Sequence, residues 1–205
     1  MDSVYIGPEA KKSYMQFLIV WAGQLMSGLG NGMTAFALGV YVFRETHSAA
    51  NFALVTLCLF VPSILLRPFG GVLADRFDRR YLIIGGDAGS AVAVLFLLTA
   101  AFDGSVSLWK IYAGVSVNSI FTALQGPAYK ASVTNLLSRE QFSKAGGLVQ
   151  LAASAQHLFS PVAAGFILSI GSLTTVLCID LCTFVIAVAA VVTLRRRCGG
   201  DRAAS

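Results

Sequence analysis

Residues 145–194 read AGGLVQLAASAQHLFSPVAAGFILSIGSLTTVLCIDLCTFVIAVAAVVTL, and Asp180 is the one formal charge among them, His157 being neutral at pH 7. As one continuous helix this stretch would rise about 75 Å, far beyond the ~30 Å hydrocarbon core of a bilayer. The chain must therefore turn inside it. Ser169, Gly171, Ser172, Thr174 and Thr175 form the turn-like cluster, which divides the stretch into spans over 140–168 and 173–194.

Other charge-free stretches run over 13–43, 46–66 and 111–129, each long enough for the roughly 20 apolar residues of a membrane span. Reading helices between the charge clusters adds spans near 15–43, 50–74, 81–102 and 106–128. The predicted fold is an all-α integral membrane protein of six transmembrane helices. Residues 1–14 form a cytoplasmic segment, 15–194 the bundle and 195–205 a cytoplasmic tail. Composition agrees: 56% of residues are hydrophobic and 12% charged, with a mean hydropathy of +0.74, where soluble domains carry about 25% charged residues.

Lys and Arg accumulate in cytoplasmic loops. With the amino terminus inside, Lys11, Lys12, Arg76, Arg79, Arg80, Lys130, Arg139, Lys144, Arg195, Arg196, Arg197 and Arg202 are cytoplasmic. Arg44 and Lys110 face out, and Arg67 lies within a span. An odd number of spans would place the Arg195–Arg197 run outside, so both termini are expected inside, in the plasma membrane. The net charge of +5 then reflects topology and contact with anionic lipid, not nucleic acid. The first apolar stretch is too long for a cleaved signal peptide, so helix 1 is expected to stay.

Cys58, Cys178 and Cys182 fall in spans and Cys198 in the tail, which argues against a disulfide framework. Cys178 and Cys182 share a helix face with no His nearby in sequence to complete a zinc set. Phosphate-loop, H-E-x-x-H and G-x-S-x-G patterns are absent. The expectation is no catalytic residue, no cofactor and no metal, hence not an enzyme.

The halves 15–102 and 106–194 have similar length and three helices each. Pro68 precedes Asp87 by nineteen residues and Pro161 precedes Asp180 by nineteen, a uniform offset of 93. Three-helix units in series are inverted relative to each other, an arrangement found in secondary transporters. In the loop between helices 4 and 5, Ser138 and Gln141 fit a capping box that starts helix 5, and 129–137 reads as a short interfacial helix or turn.

The helix 2–3 connection carries Gly70-Gly71-Val72-Leu73-Ala74-Asp75-Arg76-Phe77-Asp78-Arg79-Arg80. It resembles the major facilitator superfamily signature G-x-L-a-D-R-x-G-R-R/K at Gly71, Leu73, Asp75, Arg76, Arg79 and Arg80, with Asp78 where Gly is usual. A second stretch is similar to the helix 4–5 connection of the drug, macrolide and enterobactin efflux branch. It runs from Gly126-Pro127-Ala128 through Leu136, Leu137, Arg139-Glu140-Gln141-Phe142 to Ala145, with Ser138 for a usual Pro and Gly146 for a usual Asn. The resemblance spans 15–195 and covers the amino-terminal half of a twelve-span protein. It implies that Asp75 meets a helix of a second six-helix half when the cytoplasmic side closes. Physically, Gly71 permits close helix approach, Asp75 supplies an anion and the arginines bind carboxylates or lipid phosphate.

Ionisable groups inside a membrane mark function by default. Arg67 and Asp87 reach similar depth on consecutive antiparallel helices and are expected to pair, either structurally or with breakage on protonation. Asp180 has no evident partner, leaving it protonated, facing a cavity or bonded to a hydroxyl. Polar stripes run along helix 1 (Gln24, Ser27, Asn31, Thr34), helix 4 (Asn118, Thr122, Gln125) and helix 5 (Gln150, Ser154, His157). They suit the lining of a substrate cavity, against a simpler role in interhelical hydrogen bonding. Gly28 with Gly32, and Gly85 with Gly89, give G-x-x-x-G spacings for tight packing.

The expected function is proton-coupled efflux of small amphipathic or cationic molecules by alternating access. The partners are the lipid bilayer, the small-molecule substrate and a second six-helix half, as a homodimer or a separate chain. The alternative is a non-transporting membrane protein that keeps the bundle as an assembly partner.

Overall fold

The computed structural model describes residues 8–102, 106–136 and 139–202, with side chains described over 14–79, 81–102, 106–131 and 141–189. The described residues form six helices and no strand: α1 (Pro8–Thr46), α2 (Ala49–Arg76), α3 (Arg79–Phe102), α4 (Leu108–Leu136), α5 (Arg139–Ile170) and α6 (Leu173–Arg202). Four of them, α1, α2, α3 and α5, are long and apolar enough to cross a membrane. The described apolar part of α6, Leu173–Ala189, is shorter, and α4 is diluted by its own polar side chains.

The turn expected inside 145–194 falls at Gly171-Ser172. The Gly171 amide closes onto the Ile167 carbonyl (2.7 Å), and the Ser172 hydroxyl accepts from the Thr175 amide (3.4 Å), capping α6. Between α1 and α2, His47 takes a left-handed conformation (φ 48°), and Ser48 caps α2 through the Asn51 amide.

One expected element is absent. Residues 129–136 are not a separate interfacial segment; they continue α4 through Pro127. Proline removes an amide from the helix ladder, which membrane helices tolerate where neighbours cover the freed group. Here the Ala123 carbonyl faces Gly70 of α2, where a methyl group would lie 3.0 Å away. The Ser138 half of the capping box lies outside the described residues; α5 begins at Arg139 as that reading required.

Packing does not follow chain order. α1 packs on α5 and α6, whereas α4 packs on α2 and α3; α2 barely touches α3, and α5 barely touches α6. Each three-helix unit is open, and the first helix of the other unit fills it. The offset of 93 extends beyond sequence: Ile83, Asp87, Ser90 and Val94 of α3 are buried, and so are Val176, Asp180, Thr183 and Ala187 of α6. Each carboxylate is followed three residues later by a buried hydroxyl.

The largest hydrophobic cluster includes Met33, Leu38, Val42, Val94, Leu97, Ile111, Val115, Val176 and Leu177. It joins the carboxy-terminal parts of α1 and α3 to the amino-terminal parts of α4 and α6 and seals that end of the bundle. Toward the end that carries the α2–α3 connection, packing is lighter, and a cleft opens there.

Candidate functional site: a polar cleft between helices 1, 4 and 5

The cleft encloses about 200 Å³ and is walled by three helices. α1 contributes Trp21, Gln24, Ser27 and Asn31 at intervals of three and four, one face of a helix. Thr122, Gln125 and Tyr129 come from α4, and Val149, Ala152, Ala153 and Gln156 from α5. The Trp21 indole donates to the Leu148 carbonyl (3.0 Å) and fixes one wall.

Behind the lining stands Asp87 of α3, 2% exposed. Its Oδ1 accepts from Gln125 Nε2 (2.7 Å) and its Oδ2 from Gln24 Nε2 (3.3 Å). Gln125 Nε2 also donates to Gln24 Oε1 (3.1 Å), which closes a triangle of two cleft amides and one buried carboxylate. Two turns along α1, Asn31 Oδ1 accepts from Asn118 Nδ2 (3.1 Å) and Ser90 Oγ (3.2 Å), and Asn118 also donates to Ser90 (2.8 Å).

Of the expected lining residues, Gln24, Ser27, Asn31, Thr122 and Gln125 do face the cleft. Asn118 stands behind it, holding Asn31. Thr34 points the other way and donates to Asp180 Oδ2 (2.7 Å), so the hydroxyl reading of Asp180 is the one realised. Gln150, Ser154 and His157 do not line the cleft; they lie on the exposed side of α5, because its inward face runs 149, 152, 153, 156. That face is mostly small and apolar, so a search for polar stripes passes over it. Gln156 was signalled only by Gly28, whose missing side chain leaves the space that the Gln156 carboxamide fills.

The Arg67–Asp87 pair does not form. It presumed that α2 and α3 pack side by side, but α4 is the main neighbour of both. Asp87 is engaged by glutamines, while Arg67 is exposed on α2. In the signature loop, Asp75 and Arg76 are exposed, and Arg79 donates to the Ala131 carbonyl of α4 (2.8 Å), near the negative end of that helix. The Arg80 side chain lies outside the described residues. Gly71 does not mediate close approach within this bundle, since a methyl there would meet nothing within 4 Å; its neighbour Gly70 packs on α4. Likewise Gly85 faces open space, and Gly86 and Gly89 meet Gln125 and Phe121 of α4, whereas Gly28 and Gly32 pack on α5 as their spacing suggested.

A six-helix bundle of two exchanged triplets, with a polar cleft between α1, α4 and α5, suits one half of a transporter. The family model described as Major Facilitator Superfamily matches residues 20–202. The chain belongs to this superfamily. It is 32% identical over 191 residues to macrolide efflux protein A of Streptococcus pyogenes, covering 93% of this chain and 47% of that protein. It is 28% identical over 164 residues to the enterobactin exporter EntS of Shigella flexneri, covering 78% and 39% respectively. A staphyloferrin A transporter of Staphylococcus aureus is 28% identical over 177 residues, covering 84% and 41%. The chain thus spans about half the length, or less, of these relatives. Major facilitator proteins are transporters, and these relatives bear efflux or transport names.

Proposed function

We propose that this chain is one half of a proton-coupled efflux transporter of the plasma membrane, its cleft being one wall of the substrate path. It works against a second six-helix bundle, whether further residues of the same polypeptide, a second copy or another chain. The two bundles rock about a midplane site, as in other transporters built from repeats. The supporting observation is the Asp87 triangle. A buried intramembrane carboxylate is costly and tends to mark a proton or ion path, and this one is bonded to two side chains that line the cleft.

The groups facing Asp87 from α1 and α4 are the two amides. Asp180 of α6 is turned to Thr34, and Arg67 of α2 is exposed. An ionised carboxylate only accepts, so it draws both amide N–H groups inward; a protonated one donates from one oxygen and forces an amide to turn over. Proton binding and cleft chemistry are thereby linked. Asp75, exposed at the end of α2, is the proposed contact to the second bundle.

The test is dye retention in efflux-deficient cells expressing the chain with its second bundle. Lowered retention of an amphipathic dye, lost in Asp87→Asn and Asp75→Asn at equal membrane abundance, supports the reading. Retention equal to that of empty cells favours a non-transporting assembly role.

A further inference from the structure

Resting on the cleft as the substrate path, its ligand can be specified by counting hydrogen-bonding capacity. Each glutamine or asparagine amide carries two N–H donors and a carbonyl with two lone pairs. Gln125 spends both N–H groups inward, on Asp87 and Gln24, and among the described residues its Oε1 has no partner. Gln24 spends one N–H on Asp87 and one lone pair on Gln125. Together the two amides offer one donor and three lone pairs outward. Thr122, one turn from Gln125, spends its proton on the Asn118 carbonyl (2.9 Å), so its oxygen also faces the cleft as an acceptor. Among the described residues, the buried side-chain polar atoms without a partner are the hydroxyls of Tyr112 and Tyr129. The Gln125 oxygen is not one of them, which leaves it open to the cleft.

At Asn31 the count reverses. Its carbonyl is filled by Asn118 and Ser90, so its two N–H groups remain for the cleft. Seven residues along α1 separate Gln24 from Asn31, about 10 Å at 1.5 Å per residue. Gln156, which lines the cleft between them, can present either end of its amide.

We propose that the cleft is polarised, with an acceptor pole at Gln125, Gln24 and Thr122 and a donor pole at Asn31. It selects a ligand carrying an N–H or ammonium donor and, about 10 Å away, a carbonyl or ether acceptor. Asp87 sets the first pole and the Ser90–Asn118 pair sets the second. All three are positioning residues, acting through the amides that touch the ligand.

Trp21 in the wall supplies a reporter once the second tryptophan is removed as Trp109→Phe, at an exposed position at the start of α4. The chain in lipid nanodiscs is titrated with three probes on one aryl-alkyl scaffold: a primary ammonium with a carbonyl about 10 Å away, its N-trimethyl analogue, and its analogue with methylene for carbonyl. The parent should bind about tenfold more tightly than either analogue, the scale of one unmade hydrogen bond. Asp87→Asn and Gln125→Leu should erase the preference for the N–H donor and keep that for the carbonyl; Asn118→Ala and Ser90→Ala should do the reverse. A retained preference at one pole also shows that the variant is folded. Equal affinity for all three probes, or preferences untouched by these substitutions, overturns the polarised cleft and leaves a binding cleft in place. Failure of every probe to alter Trp21 emission overturns both.

Discussion

Gly30→Ala should be among the most disruptive small substitutions in the bundle, and the structure sets its size. A methyl group at 30 would land on the Thr183 hydroxyl, 2.5 Å from Asp180 Oδ1 and 3.1 Å from the Asp180 Cα. The side chains could swing aside, but the Cα cannot, so α1 and α6 must part. Overpacking of this kind costs about 1–3 kcal/mol. Displacing the Asp180 carboxylate also loses the Thr34 hydrogen bond, worth up to about 1–2 kcal/mol in a membrane. Alanine recovers about 0.5–1 kcal/mol over glycine in a helix. The net expectation is about 1–4.5 kcal/mol of destabilisation. Gly71→Ala and Gly85→Ala are the controls, since a methyl at either meets nothing within 4 Å; both should be neutral or stabilising by up to about 1 kcal/mol. Reversible unfolding in mixed micelles, followed by helicity, measures all three. If Gly30→Ala falls within about 0.5 kcal/mol of Gly85→Ala, the α1–α6 packing described above is wrong.

Exchanging charges between α2 and α3, as Arg67→Asp with Asp87→Arg, should not rescue the loss caused by Asp87→Arg alone, because the two residues are not partners; rescue of unfolding stability would restore the pairing. Arg79→Ala should loosen the end of α4 by about 0.5–1.5 kcal/mol through loss of the bond to Ala131, read as faster amide exchange around 129–131 with α1 exchange unchanged. The pH dependence of probe binding has a fixed sign. The binding-competent cleft holds Asp87 ionised, so affinity should be full at higher pH and fall as pH drops through the Asp87 titration, with Asp87→Asn flat; affinity that rises on acidification would contradict the inward-drawn amides.

The helix count was legible because charge clusters punctuate the chain, and the Gly171-Ser172 turn because no continuous helix could hold residues 145–194. Asp87 and Asp180 stood out as intramembrane carboxylates, and of the α1 stripe Gln24, Ser27 and Asn31 line the cleft. What the sequence concealed was packing order. Consecutive helices invite the assumption of adjacency, and the Arg67–Asp87 pair failed with it, since α4 intervenes. Helix 5 misled for a different reason. Polar residues were assumed to face inward, but Gln150, Ser154 and His157 lie on the exposed side of α5, and the small apolar residues beside them turn inward. The serine and threonine that follow each aspartate were visible at positions 90 and 183, but their shared burial needed the structure.

In the proposed transport cycle, proton binding at Asp87 and ligand binding in the cleft are one coupled event. The most direct measurement is proton release from proteoliposomes that hold the chain with its second bundle and an imposed proton gradient, recorded with a pH dye as the ammonium–carbonyl probe is added. Coupling at Asp87 should give gradient dissipation that begins on probe addition, saturates with probe concentration and is absent in Asp87→Asn. Dissipation that is independent of probe, or equal in Asp87→Asn and the unaltered chain, would contradict it.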